Sequence, residues 1–479
     1  MKKVGKNYLY NIIYQILILL IPLITTPYIS RVLSVEGIGL YSYTYSIAYF
    51  LTIVAELGTV TYARREIAFC QDDIKKRSTI FFEITIFRAV MAFISLFIYM
   101  IYAINSSNVI IALFQIFYIV AVIFDVTWFF QGMEDFKTVV IKNSFVKIVM
   151  LVFIFVFVKN ESDLGKYVLG LSFLPIIGNI ITWPTLKKYI TKVPIKSLKP
   201  FRHFKDTFIL FIPNIASQVY LLLDKTMLGI LTINNIENGY YEQAQKIIRM
   251  CWTFLTTFSA VMTPRIAYYI GKKDIEQIKK YMQYSFSFVW VISIAMCFGL
   301  IGISDNLVPW FFGENYQKVS SLLKIFSLIL IPIGINGVTG TQYLVCNNKE
   351  KIYTISIVVG AIINFLLNLI LIKKFYSIGA AISSVFAEYI ITLIQVIYIY
   401  KLKKDITLKD MFKESYKCLI AGIIMLITLI FLNSIFVPSL INTFIMIICG
   451  AFVYFIVLIL LKNKFVCDNY LKVKKIIKR

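Results

Sequence analysis

"WFFQGMEDF", Trp128 to Phe136, closes an apolar run that begins at Asn108, and its reading decides the fold. Gln131 and Gly132 interrupt the run, two acids follow, and Asp125 sits inside it one turn upstream. Such a stretch suits the core helix of a soluble protein, an active-site turn or one end of a membrane span. The rest of the chain chooses among the three.

Of 479 residues, 59% are hydrophobic and 15% charged, against about 45–50% and roughly 25% in soluble domains. This chain cannot cover itself with polar surface, and no polar stretch is long enough to form a soluble domain. Lipid is therefore its expected solvent. A membrane helix needs about 20 mostly apolar residues, and about fourteen windows qualify. They are 9–30, 38–58, 80–103, 108–130, 143–158, 167–186, 208–231, 240–263, 281–304, 320–345, 352–372, 378–400, 415–433 and 441–461. The N-terminal "MKKVGKNYLYNIIYQILILLIPLIT" starts like a signal peptide, but no small-x-small cleavage site follows, so it reads as an uncleaved first span.

The net charge of +24 calls for an anionic partner. With the N-terminus placed in the cytoplasm, 38 of the 49 Lys and Arg fall in cytoplasmic segments, 6 in external loops and 5 inside spans. That bias is the positive-inside pattern of a polytopic membrane protein with both termini cytoplasmic. Spread over eight segments, the charge contacts phospholipid and offers no face for nucleic acid.

The chain also repeats. "IPLITTPYISRVLSVEGIGLYSYTYSI" (Ile21 to Ile47) aligns with "IPNIASQVYLLLDKTMLGILTINNIENGYYEQAQKI" (Ile212 to Ile247), pairing Pro22 with Pro213 and Gly39 with Gly239. "TYARREIA" (Thr61 to Ala68) pairs with "TPRIA" (Thr263 to Ala267), and Gly165 with Gly379. Each repeat holds six spans, an even number, so both have the same orientation. The expectation is an all-α polytopic membrane protein: an N-lobe over 1–200, a C-lobe over 201–404, and two C-terminal helices with a basic tail over 405–479.

Ionisable residues inside a bilayer are costly and mark function by default. In the eighth span, Glu242, Lys246, Arg249, Thr253, Thr256 and Ala260 stay within about 60° of one another, a polar stripe on an apolar helix. Tyr41, Tyr45, Tyr49, Thr52 and Glu56 do the same in the second span, its counterpart in the repeat. Asn214, Gln218 and Lys225 share a face of the seventh, beside Asp224. Arg88, Asp125, Lys324 and Glu388 complete the set. Two roles compete for these residues. They could line a cavity, or form packing pairs such as Arg88 with Asp125 or Asp224 with Arg249. Lys225, Lys246, Arg249 and Arg88 suit phosphate, and the tyrosines and threonines suit sugar hydroxyls and ring faces. The carboxylates Asp125, Asp224 and Glu388 could carry coupling ions or balance charge.

Enzyme signatures are missing: there is no Walker A loop, GxSxG or HExxH. Asp72 and Asp73 read as a solvated loop or helix start rather than a metal-binding pair. The seven cysteines show no CxxC spacing, so neither a metal site nor a disulfide framework is expected. The single histidine, His203, sits among loop lysines and reads as a solvated side chain. No cofactor is implied.

Together, "TTPYISRVLSVEGIGLYSYTYSIAYF" (Thr25 to Phe50), "LGTVTYARREIA" (Leu57 to Ala68), "WFFQGMEDF", "LDKTMLG" (Leu223 to Gly229) and "GYYEQAQKI" (Gly239 to Ile247) resemble the Wzx-type polysaccharide repeat-unit flippases. These belong to the multidrug/oligosaccharidyl-lipid/polysaccharide exporter superfamily. One departure is Ser34, where the family usually has Gly. The resemblance implies a two-lobed transporter of twelve to fourteen helices that moves an undecaprenyl-diphosphate-linked oligosaccharide across the cell membrane by alternating access. It also implies partnership with the polymerase and glycosyltransferases of the same pathway. Cavity cations of such proteins hold diphosphate or acidic sugars, a role that falls here to Arg31, Arg88, Lys225, Lys246 and Arg249. The alternatives are a cation-coupled multidrug exporter on the same fold and a polytopic polysaccharide polymerase or ligase. The former wants a more acidic cavity, and the latter a large external catalytic loop.

"WFFQGMEDF" then reads as the cytoplasmic exit of the fourth span. Gly132 would take the left-handed helix-ending position, Trp128 would sit at the interface, and Glu134 and Asp135 would lie in water beside loop residues Lys137 and Lys142. For the eighth-span stripe, Lys246→Ala and Arg249→Ala are each expected to abolish surface-polymer export without loss of membrane-inserted protein. Normal export in both variants would reduce the stripe to packing.

Overall fold

The computed structural model describes residues 2–402 and 407–477. Side chains are described outside positions 1–13, 15, 16, 19, 213, 214, 216, 217, 219–221 and 471–479. The described chain is all helical, and ten of its helical stretches are long and apolar enough to cross a membrane. It forms two compact units: residues 1–230 with 234–239, and residues 231–233 with 240–479.

The first unit contains α1 (Lys2–Val32), α2 (Val35–Glu56), α3 (Thr59–Phe69), α4 (Ile74–Ile104), α5 (Val109–Phe124), α6 (Thr127–Gly132), α7 (Phe136–Phe157), α8 (Leu164–Leu186) and nearly all of α9 (Phe204–Leu231). Helix α5 packs against α2, α4 and α8, and α7 against α1 and α8. Ser34 caps α2 by accepting from the Gly37 N–H at 3.1 Å, so its departure from the family pattern serves helix initiation. Asp73 caps α4 in the same way, accepting from Lys76 N at 2.9 Å.

The second unit begins with α10 (Ile236–Gly271), whose first turn belongs to the first unit, and continues with α11 (Ile275–Phe312), α12 (Gln317–Phe326), α13 (Leu330–Asn336) and a π-helix over Gly337–Val345. Helices α14 (Glu350–Leu402), α15 (Leu408–Phe412), α16 (Ser415–Ile435), α17 (Leu440–Leu460) and α18 (Lys464–Ile477) complete it. Helix α11 is the hub, contacting α12, α13, α16 and α17. At 1.5 Å per residue, the 53 residues of α14 would reach about 80 Å, far beyond a bilayer. They divide into two helices at Tyr376 (φ 53°, ψ −130°), between the windows 352–372 and 378–400.

The opening motif behaves differently from its sequence reading. Trp128 is fully buried, not interfacial, because α3 lies alongside α6 and seals it with Tyr62, Ile67, Phe81 and Phe129. The left-handed residue is Glu134 (φ 56°), two positions after Gly132. Gly132 is required by closeness instead: a Cβ there would meet Ile67 Cβ at 2.8 Å and the Arg64 carbonyl at 2.9 Å. Asp135 caps the next helix, accepting from Thr138 N at 3.2 Å. Helix α7 therefore starts at Phe136, and Lys137 and Lys142, read as loop residues, lie within it.

His203 is also corrected. It is 3% exposed, not solvated, because the segment before α9 folds back over α4. Burial pulls its pKa below the ordinary value, favouring the neutral ring. A carboxylate can only accept, so Nε2–H donates to Glu83 Oε2 at 3.0 Å and Nδ1 accepts from the Tyr62 hydroxyl at 2.8 Å. Arg202 also pairs with that carboxylate, and Lys199 N donates to its other oxygen.

The repeat-matched glycines meet within the first unit. A Cβ on Gly39 would lie 1.7 Å from the Asn235 carbonyl oxygen, and one on Gly239 would lie 2.1 Å from that of Val35. Gly39→Val should destabilise the protein by at least the 1–3 kcal/mol typical of overpacking, roughly, because backbone cannot yield as a side chain can. Gly271→Ala, with nothing within 4 Å of the added carbon, should leave the melting temperature unchanged. Thermal unfolding in detergent checks both.

Candidate functional site

The site grows out of the interrupted fourth span. Helix α5 stops at Phe124 because Asp125 is extended (φ −76°, ψ 112°), and α6 restarts two residues later. A helix end strands its last carbonyls, which is prohibitive inside a bilayer unless protein donors replace the lost bonds. Here four are met by side chains. Asn179 Nδ2 donates to Ala121 O at 3.0 Å, Arg88 to Val122 O at 3.2 Å, Trp183 Nε1 to Phe124 O at 2.9 Å and Trp128 Nε1 to Asp125 O at 3.0 Å.

The Asp125 carboxylate accepts from Thr127 N at 3.1 Å and from Thr127 Oγ1 at 2.5 Å. It faces Arg88 at 3.5 Å and Lys142 Nζ at 3.7 Å. Arg88, 1% exposed, also donates to Thr59 Oγ1 at 2.9 Å. Lys142 donates to Thr127 Oγ1 at 2.7 Å and to Asn179 Oδ1 at 3.0 Å. One carboxylate thus holds two cations, and the second lies at the wall of a cavity.

That cavity, about 370 Å³, lies within the first unit among α1, α2, α5, α7 and α8. Lys142, Asn143 and Lys147 of α7 line one wall, with Tyr14, Tyr41, Tyr45, Tyr118 and Asn179 around it. Tyr41, Tyr45 and Tyr49 stack in a ladder with centroids 5.6 and 5.3 Å apart, and Tyr118 sets its ring edge against Tyr45 at 5.1 Å. Among the described residues, no carboxylate lines the cavity and none pairs with Lys147. The wall therefore offers cationic charge beside aromatic faces and hydroxyls.

Residues 4–270 match the family model described as "Polysaccharide biosynthesis protein". The chain belongs to that family. Residues 210–370 also match the MatE model. Across 403 residues the chain is 23% identical to an Escherichia coli (strain K12) protein named for O-antigen transport, covering 82% of this chain and 96% of that one. A Haloferax volcanii protein named as a flippase of low-salt glycan biosynthesis is 25% identical over 279 residues, 56% of this chain and 57% of its own. In fold, the chain is similar to the lipid II flippase MurJ in an inward closed conformation. The TM-score is 0.72 at 17% identity, over 94% of this chain and 97% of that one. It is also similar to an inward-facing multidrug transporter of the MATE family, with TM-score 0.63 at 14% identity over 80% and 96%. The chain is thus a multi-pass membrane protein of a polysaccharide-export family.

The sequence-selected residues fall in several places. Tyr41 and Tyr45 line the cavity, and Tyr49 extends their ladder. Arg88 and Asp125 form one of the anticipated pairs, and Glu56 lies in their field. Thr52 is buried and donates to its own helix at Ala48 O, 2.9 Å away. Arg31 is exposed, with NH1 3.4 Å from Pro27 O. Asp224 and Lys225 are buried, Gln218 is half-buried, and the side chain of Asn214 lies outside the described residues. On α10, Glu242 is buried, Lys246 and Thr253 half-buried and Arg249 exposed. Glu388 is buried and accepts from Asn336 Nδ2 at 2.6 Å, whereas Lys324 pairs with Asp305 at 2.7 Å.

Lys142, Asn143, Lys147, Tyr118 and Asn179 were missed. The spacing of Asn143, Lys147 and Met150 along one helical face, all inside the window 143–158, was the available signal, whereas Lys142 fell one residue outside that window.

Arg88→Leu removes one of the two cations of Asp125 and the donor to the Val122 carbonyl, and should cost up to roughly the 3–5 kcal/mol of a broken buried ion pair. Lys147→Gln should change stability by no more than about 0.5 kcal/mol yet impair polymer export. Thermal melting and export assays on both variants separate scaffold from site.

Proposed function

We propose that this chain is a flippase that carries a polyprenyl-diphosphate-linked oligosaccharide, with undecaprenol as the lipid, from the cytoplasmic to the outer leaflet. Its product feeds a cell-surface polysaccharide such as capsule, O-antigen or a teichoic-acid-like polymer. One observation carries the reading: Lys142 and Lys147 share a carboxylate-free cavity with a tyrosine ladder. Lysines act as point charges toward phosphate, while stacked tyrosines offer faces to sugar rings and hydroxyls to their oxygens. A diphosphate joined to a sugar presents both chemistries in one molecule.

The names of the relatives support a glycan cargo, and the MurJ-like fold supports a lipid-linked one. The lysine-rich segments support cytoplasmic termini in a cell membrane, under the positive-inside rule. Translocation then proceeds by alternating access, with the prenyl tail left in the bilayer. Arg249, exposed on α10, and half-buried Lys246 offer further contacts for an anionic cargo. Polymerase and glycosyltransferases of the same pathway are the natural partners. A cation-exporting role fits this wall poorly, because Lys147 has no carboxylate beside it among the described residues and repels cations.

Reconstitution into liposomes with a fluorescent lipid-diphosphate oligosaccharide should give protein-dependent loss of protection from an external quencher. Lys142→Gln with Lys147→Gln should slow that rate at least tenfold. Export of a cationic dye without any movement of the lipid-linked oligosaccharide would overturn the proposal.

A further inference from the structure

A second cavity lies wholly within the other unit. It measures about 300 Å³ and is bounded by the first turns of α11, the short α15 and the start of α18. Its cations are Lys280, Lys413 and Lys464, one from each neighbourhood, and its aromatic lining includes Tyr284, Trp290 and Phe465. All three lysines are exposed, and among the described residues none is ion-paired.

The nearby acids are largely committed elsewhere. Asp410 pairs with Lys279 at 3.3 Å and accepts from Gln283 at 2.7 Å. Glu414 faces Lys417 at 3.2 Å. Both of these acids line the cavity along with Asp468, which is exposed, but Lys279 and Lys417 answer Asp410 and Glu414, so the neighbourhood keeps an excess of positive charge.

The walls are built rather than loose. Trp290 Nε1 donates to Met411 O at 2.8 Å, tying α15 to α11. Phe465 packs on Tyr284 at 5.2 Å and on Phe288 at 6.1 Å, tying α18 to the same helix. Lys417 Nζ donates to Lys462 O at 3.0 Å, joining the start of α16 to the turn after α17. The cavity therefore sits where two apolar helices begin and end, the depth at which lipid headgroups lie.

We infer that this cavity is a binding site for the phosphate of an anionic phospholipid headgroup, held by Lys280, Lys413 and Lys464 with its glycerol backbone against Trp290 and Phe465. The site is distinct from the cavity of the first unit and does not depend on which substrate is transported. An anionic lipid there would clamp α15 and α18 onto α11.

The test uses full-length protein in phosphatidylcholine liposomes containing spin-labelled phosphatidylglycerol or spin-labelled phosphatidylcholine. The motionally restricted fraction is read by electron paramagnetic resonance. The wild type should prefer phosphatidylglycerol by about threefold or more, as expected for a few lysines acting at a lipid surface. The triple variant Lys280→Gln, Lys413→Gln, Lys464→Gln should lose that preference, while Lys196→Gln keeps it. An equal preference in the wild type and the triple variant would overturn the site. Displacement of the labelled lipid by millimolar inorganic phosphate would also overturn it, marking a free-anion site rather than a headgroup site.

Discussion

A membrane helix broken in mid-course must find donors for the carbonyls it strands, and this constraint organises the first unit. At Asp125 the fourth span stops, and side chains from α4, α6 and α8 supply four hydrogen bonds to Ala121, Val122, Phe124 and Asp125. In water such an end would be nearly free, whereas in the bilayer each unmet carbonyl costs several kcal/mol, roughly. The break is therefore tolerated only because Arg88, Trp128, Asn179 and Trp183 are placed to repair it.

The repair has chemical consequences. It leaves one carboxylate, Asp125, inside the unit, where it needs cations. Arg88 answers from the packed side and Lys142 from the cavity side. Asn179 ties the two ends of the network, donating to the broken helix and accepting from Lys142. Lys142 is thereby held at the wall by groups whose first duty is structural, and Lys147 follows about one and a half turns later on the same helix. On the function proposed above, a cavity that binds a charged headgroup and releases it is served by cations only partly neutralised.

Much of this was legible in the sequence, for physical reasons. Lipid solvent forces long apolar windows, so the helices and the tyrosine ladder of α2 could be read from hydropathy and spacing alone. The match of Gly39 with Gly239 also carried structural meaning, since both stand where backbone approaches backbone. What could not be read were the side chains that neutralise buried backbone and charge, because their partners lie far along the chain. His203 looked solvated by its lysine neighbours, but Glu83, 120 positions away, buries it. Trp128 looked interfacial by its place in the run, but α3 covers it. Lys137 and Lys142 were placed in a loop because a helix boundary drawn at hydropathy alone begins a turn or two late when its first turns carry lysines.

The central claim is that the lysines of this wall touch the diphosphate of the cargo. Solid-state NMR can measure the dipolar coupling between lysine ¹⁵Nζ and ³¹P of a bound lipid-diphosphate oligosaccharide directly. Contact at Lys142 and Lys147 predicts a coupling in the wild type that weakens in either single Gln variant and vanishes in the double variant. A coupling of full strength in the double variant would place the diphosphate elsewhere and contradict the account.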